Sequence, residues 1–320
     1  MKAITQDRFG AADVLALREV PLPVPDATSV LVRVRAASVN ALDYRRMQGT
    51  PAVARLLFGF GVRRPKRRTR GVDVAGTVES VRPGLEPFQP GDEVFGLGSG
   101  SFAEFVAADV KELAKKPPSL GFREAACLPI AGVTALQAVR DKARLKPGQS
   151  VLVIGAGGGV GTFAVQIARA TGARVTAATT GENAALLTGL GAERVLDYAR
   201  EDYTRGSDRF DAVIDILGDR PFHACRRLLR PGGVIVVVGG PRISRLVKAL
   251  LLAKVLRWPI VLFIARVHPP ELDTLARLAE EGKLRPVIER TYPLEATAEA
   301  MRHAAAHRAK GKLVIDVGGP

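Results

Sequence analysis

Cysteine is nearly absent: the 320 residues hold two, Cys127 and Cys225, far apart and outside any CxxC. Neither a disulfide framework nor a thiolate metal site is indicated, and both read as small buried side chains. Acidic residues are also scarce, 32 against 47 Lys and Arg, for a formal charge of +15. That balance admits nucleic acid, an anionic membrane surface, or a phosphorylated cofactor drawn to a basic surface. The densest run, Arg63, Arg64, Lys66, Arg67, Arg68 and Arg70, has no interleaved aromatic platform, and no helix-turn-helix or zinc-finger spacing accompanies it. It reads as a solvated basic loop, and nucleic acid is not the expected partner. A clean transmembrane run is missing too, because the stretch Leu246 to Ile264 contains Lys248, Lys254, Arg257 and Pro259, which make a bilayer span costly. A helix and a sheet-edge strand buried at a subunit interface is the favoured reading of that stretch, with an interfacial membrane helix as the lesser one. Met1 to Gly10 has no apolar run followed by a small-residue cleavage site, so the expected compartment is the cytoplasm.

What is present describes an ordinary globular chain, 47% hydrophobic and 25% charged. Its length exceeds what one core usually serves, so two domains sharing a cleft are expected, and such a cleft is a natural place for a substrate. The first 120 or so residues read as β-rich, with strands such as Val30 to Val34, Val72 to Val78 and Glu93 to Phe95 punctuated by Pro and Gly turns. From Val151 apolar strands alternate with helical stretches. That alternation predicts an α/β fold with a doubly wound parallel sheet. The chain closes with a helix over Pro270 to Glu281, an amphipathic segment after Pro293 and a strand over Lys312 to Val317, an ending able to return to the first domain.

Between the strand VLVI and the helix TFAVQIARATG lies Gly155-Ala156-Gly157-Gly158-Gly159-Val160-Gly161. Glycines there permit a tight turn, approach of backbone to a pyrophosphate and close helix packing, while the helix N-terminus offers N–H groups to the phosphates. The next strand ends in Thr179-Thr180-Gly181 rather than in a carboxylate. This tilts the cofactor toward NADPH, with NADH possible, because an NAD site usually grips the ribose 2′-OH with an acid there. Glu182 follows at once, and no Lys or Arg sits in the turn. Thr180 could donate to a 2′-phosphate and Tyr198 could flank the adenosine, though both also fit ordinary surface polar residues.

The motifs Ala37-Ser38-Val39-Asn40-Ala41-Leu42-Asp43, Gly71-Val72-Asp73-Val74-Ala75-Gly76, Pro90-Gly91-Asp92-Glu93-Val94-Phe95-Gly96, Ala131-Gly132-Val133-Thr134-Ala135-Leu136, the glycine loop and Gly311-Lys312-Leu313-Val314-Ile315 run along essentially the whole chain. Together they resemble the zinc-free, zeta-crystallin-like quinone oxidoreductases of the medium-chain dehydrogenase/reductase superfamily. The resemblance implies a Rossmann domain over residues 123–288 inserted in a GroES-like β-barrel catalytic domain made of residues 1–122 and 289–320. It implies hydride transfer from NAD(P)H to quinones, enones or other activated carbonyl compounds, and homodimers joined at a sheet edge for which Trp258 to Ala265 is suited. In zinc-dependent relatives a Cys occupies the position of Asn40, and a His followed by Glu occupies Val72-Asp73, so no zinc is expected.

Without metal, polar donors must stabilise the oxygen on which charge develops. The resemblance makes Asn40 the candidate donor; Asp43 and Tyr44 in the same loop complete the catalytic set, with Tyr44 or solvent supplying the proton. The alternatives are a turn-capping amide for Asn40, a helix N-cap for Asp43 and an aromatic wall for Tyr44. The resemblance also places Thr134, Leu217-Gly218, Gly239-Gly240 and Lys312 against the cofactor, and Asp73 also fits a buried structural carboxylate. Two departures stand out: Glu182 where relatives often carry a basic residue, and RRPKRRTR before Gly71 where they are apolar. Rival readings are an alcohol dehydrogenase, which would need a proton relay that no motif supplies, and a non-catalytic protein of the same fold that binds RNA or membrane through its basic surface.

Overall fold

A computed structural model describes residues 1–50, 64–238, 243–306 and 309–318. Two compact units divide the chain: Met1–Ala131 with Val267–Pro320, and Gly132–Arg266. The boundaries differ from 122/123 and 288/289 because a helix near the end, α7 (Pro269–Glu280), packs on a strand of the first unit, β7 (Leu113–Lys115).

The first unit carries β1 (Lys2–Gln6) paired with β2 (Leu15–Glu19), and a larger sheet. That sheet is built on β3 (Ser29–Val39), β4 (Asp73–Ser80), β5 (Glu93–Leu97), β6 (Phe105–Asp109), β7, β14 (Ile288–Pro293) and β15 (Lys312–Asp316), in the order β14-β15-β3-β4-β5-β7 with β6 on β3. The period-two pattern of β3 turns Val30, Val32 and Val34 into a core with Val74, Val78, Val94 and Val106, and leaves Arg33 and Arg35 outside, as expected of a strand with one buried face. Gly76 is required on β4, since a Cβ there would stand 2.2 Å from the Arg33 carbonyl oxygen. The final strand does return: Leu313 pairs with Val39 in antiparallel register. From the described part of the basic run, Arg64, Lys66, Arg67 and Arg68 are exposed, but Arg70 is buried. The solvated-loop reading therefore stops at Thr69, because the Arg70 backbone is pinned between Ile4 and Phe102 by hydrogen bonds of 3.1 and 2.8 Å.

The second unit is the doubly wound layer. Strands β8 (Ser150–Ile154), β9 (Arg174–Thr179), β10 (Arg194–Asp197), β11 (Phe210–Asp215), β12 (Leu229–Val237) and β13 (Ile260–Leu262) form one parallel sheet in the order β10-β9-β8-β11-β12-β13. All five residues of β8 are buried, which is why Val151 to Ile154 run apolar without alternating, while Ser150 is satisfied by the Asp211 carboxylate. Its crossovers include α3 (Gly159–Ala170), α4 (Ala184–Leu190), α5 (Phe222–Arg227) and α6 (Ile243–Lys254). The expected helix and edge strand over Leu246 to Ile264 are both present, as α6 and β13. Burying a side chain such as Ile154 or Phe163 in this layer contributes about 2 to 3 kcal/mol. Among the described residues no helix is long and apolar enough to cross a membrane.

Candidate functional site

In the second unit the chain order reverses between β8 and β11, and in open sheets of this kind ligands lie beyond the carboxyl ends of the strands at such a point. The glycine loop stands there. Gly155 takes φ +82°, Gly158 is the extended residue before α3, and α3 begins at Gly159. The first N–H groups of that helix have no intrahelical acceptor, so Gly159, Val160 and Gly161 present a polarity suited to a pyrophosphate. A Cβ on Gly161 would lie 2.3 Å from the Gly155 carbonyl oxygen and 2.6 Å from the Ala156 Cα, both backbone atoms, whereas at Gly158 the nearest atom is 3.7 Å away. The loop is thus closed where helix meets strand and open where a phosphate would approach, so its residues fit a dinucleotide.

The neighbouring strand ends complete the rim. Leu217 lies against Gly155, with its backbone nitrogen 3.2 Å from where a Cβ would be. Tyr198 donates its N–H to Thr179 (3.1 Å), which brings the ends of β9 and β10 together. Thr180 accepts from Asn183 Nδ2 at 3.3 Å, and the same nitrogen is 3.2 Å from Thr179 Oγ1. Thr134 is carried separately, half-buried on α2 (Pro129–Leu136), while Gly239 and Gly240 lie outside the described residues.

Three side chains at this rim escaped the sequence reading. Asn183 packs under Gly157, 2.6 Å from a Cβ built there, and its buried Oδ1 has no hydrogen-bond partner. Asp197 turns its carboxylate toward Gly181, 2.5 Å from a Cβ built there, and pairs with Arg200 at 3.5 Å. The turn after β9 therefore receives a second carboxylate beside Glu182, from the end of the next strand, with Arg200 paired to it. Asp215, fully buried at the end of β11, accepts from Gly218 N at 2.8 Å and forms an ion pair with Arg245. Burial pushes the Asp215 carboxyl up, and the Arg245 guanidinium pulls it back. A lone Asp closing an apolar strand was the available signal; its partner, 30 residues on, had none.

In the first unit β3 is followed directly by Asn40, the residue that caps α1 (Ala41–Gln48). Asp43 is not the cap: as the third helical residue it accepts the Asn40 backbone N–H at 2.8 Å. The Asn40 amide is held at both ends, its Oδ1 accepting from Lys312 Nζ at 2.6 Å and its Nδ2 donating to Asp73 Oδ2 at 2.8 Å. One Nδ2 hydrogen remains, with only a long 3.5 Å contact to the Ser38 carbonyl. Lys312, 2% exposed, also donates to the Val39 carbonyl at 3.1 Å and stands 3.7 Å from Asp73. Asp73 further accepts from Ser38 Oγ (2.7 Å) and Ile130 N (3.1 Å).

The electrostatics follow from burial. Desolvation raises the Asp73 carboxyl, against Lys312, Asn40, Ser38 and Ile130 N. Asp43 is pushed up to about 7, first by burial and then by the negative charge of Asp73. Cys127 is pushed up to about 12 by burial, which leaves its thiol inert at neutral pH. The Tyr44 ring is buried in the core with Met47, Phe102 and Tyr292, and burial raises its hydroxyl. Among the described residues no group of three or more His, Cys, Asp or Glu is placed to hold a metal.

Comparison with known proteins gives two family matches along the chain. The profile of the alcohol dehydrogenase GroES-like domain matches residues 26–118, and that of the zinc-binding dehydrogenases matches residues 190–315. A chloroplast envelope quinone oxidoreductase homolog of Arabidopsis thaliana is 32% identical over 99% of this chain and 98% of its own. A 2-methylene-furan-3-one reductase of Solanum lycopersicum is 32% identical over 98% of this chain and 79% of its own. Among solved structures, the quinone oxidoreductase from Coxiella burnetii superposes with a TM-score of 0.89 at 33% identity, over 99% of both chains.

Proposed function

Because the chain belongs to the medium-chain dehydrogenase/reductase superfamily, in its quinone oxidoreductase branch, we propose that it is an NAD(P)H-dependent reductase of quinones and α,β-unsaturated carbonyl compounds that works without metal. Gly155, Gly158, Gly159, Val160 and Gly161 hold the pyrophosphate, with Leu217 and Gly218 along the rim and Thr134 as a further contact. Thr180, Tyr198 and Arg200 form the end that favours NADPH over NADH, since Arg200 offsets the charge of Asp197. Bound there, the cofactor supplies the hydride.

The chain itself supplies the polar set. Lys312 and Asp73 fix the Asn40 amide from opposite sides, so that its remaining N–H serves as the donor to the carbonyl or quinone oxygen. Lys312 acts here by positioning Asn40, and Tyr44 by fixing α1 to the core of the first unit. Asp43, held up to about 7, accepts the Asn40 backbone N–H and helps set the charge at which the amide works. The observation that carries the metal-free reading is the Lys312 ammonium, 2.6 Å from Asn40 Oδ1: a fixed cation already stands beside the residues aligned with the zinc ligands of relatives. Two copies pairing at the β13 edge give the proposed homodimer, and no nucleic acid is required.

Titration of the protein with NADPH and NADH by nicotinamide fluorescence, followed by turnover with quinones and enones in the presence and absence of a chelator, tests the reading. NADPH bound more tightly than NADH, with turnover indifferent to the chelator, is the expected result. Loss of turnover on chelation overturns the metal-free mechanism, and absence of binding by either cofactor overturns the activity.

A further inference from the structure

Helix α6 turns its apolar residues both ways. Ala249 is buried, and Leu252 and Ala253 pack on the core with Phe222 and Ile260. On the other side Val247, Leu250 and Leu251, and Val255 just past the helix end, are 50%, 48%, 56% and 69% exposed. At 100° per residue these four fall on one stripe, with Lys254 within it and Lys248 at its edge. Arg257 follows in the left-handed region, φ +51°, and Trp258 turns back onto the core under the Arg226 guanidinium. A surface helix of this size ordinarily presents a polar outer face.

Charge selects the occupant. No Asp or Glu occurs between residues 220 and 270, and Lys248, Lys254 and Arg257 are exposed. A second copy docked symmetrically on this stripe would set these cations against their own counterparts with no nearby acid to relieve them, which is destabilising. RNA would meet the charge but gain nothing from four aliphatic side chains, since single-stranded binders use aromatic platforms. An anionic lipid surface satisfies both halves: aliphatic groups enter the headgroup boundary while the lysines stay at the phosphates.

We propose that the outer face of α6 docks the protein, in the plane of the interface, on membranes carrying anionic lipids. Val247, Leu250, Leu251 and Val255 insert, and Lys248, Lys254 and Arg257 contact the headgroups. This surface is independent of the reaction proposed above, and α6 is anchored to the sheet by Ala249 whether or not lipid is present.

The test is flotation of the full chain with vesicles of phosphatidylcholine alone or mixed with phosphatidylglycerol, beside turnover of a water-soluble quinone without vesicles. Flotation is expected only with the anionic vesicles and is expected to weaken with salt. Lys254→Gln should lower it about fivefold, and Leu251→Ser about tenfold, with soluble turnover unchanged in both. The proposal is overturned if the protein does not float with anionic vesicles, if flotation survives both substitutions together, or if Leu251→Ser instead dissociates an oligomer seen by sedimentation. RNA binding lost in Lys254→Gln but kept in Leu251→Ser would likewise overturn it.

Discussion

Replacing Lys312 by methionine keeps the length and volume of a buried side chain while removing its charge. The ammonium has three partners, Asn40 Oδ1 at 2.6 Å, the Val39 carbonyl at 3.1 Å and Asp73 at 3.7 Å. Breaking a buried ion pair from one side costs about 3 to 5 kcal/mol. The lower end applies here, because Asp73 keeps three donors in Ser38, Asn40 and Ile130, so a loss of about 3 kcal/mol is expected. The pH dependence gives the sharper test. Burial already raises the Asp73 carboxyl and Lys312 opposes it, so in Lys312→Met the folded-state value climbs further above the unfolded one. A carboxyl raised in this way contributes stability at low pH that is lost as pH rises through the folded value. The deficit of the variant should therefore be smallest at the acid end of the accessible range and grow as pH rises through the folded value, measured as urea unfolding followed by circular dichroism. Adding Asp73→Asn to Lys312→Met should recover part of the loss at the higher pH. A deficit independent of pH, or a double variant that loses the sum of the two single changes, refutes the pairing.

Gly161→Ala drives a Cβ into the Gly155 carbonyl and Ala156, so NADPH affinity should fall at least tenfold by fluorescence titration, a loss of more than about 1.4 kcal/mol. For Asp43, held at about 7 against an ordinary 3.8, the stability it contributes is full below about 4 and lost as pH rises through about 7. Asp43→Asn should flatten that part of the unfolding free energy against pH, as read by urea denaturation at a series of pH values. Arg245→Met leaves the buried Asp215 without its cation, and a loss of about 3 kcal/mol is expected in the same assay. Should Arg245→Met instead be neutral, the pair does not hold the Leu217-Gly218 turn.

Periodicity and turn chemistry carried most of the architecture. The alternation in β3, the apolar run Val151 to Ile154 of β8 and the glycine loop before α3 are local patterns, and each requires its conformation through groups a few residues apart. The return of Lys312 to Val317 was legible for the same reason, as a strand, although its partner was not. What resisted reading was the direction and pairing of polar side chains. Arg70, in a run that otherwise reads as solvated, is buried because its backbone is tied to Ile4 and Phe102. Asp197 reaches a turn belonging to the preceding strand, a neighbour that spacing along the chain does not show.

The sequence by itself determined a doubly wound α/β unit with a dinucleotide loop, a β-rich unit, and the residue types available to a donor set without zinc ligands. Only the tertiary structure decided that Lys312 joins Asn40 across 272 residues, that both grip Asp73, and that the apolar stripe of α6 faces outward. Local preferences depend on neighbours in the chain, whereas the burial of a charge, the identity of its partner and the exposure of a helix face depend on which distant segments the fold brings within a few ångströms.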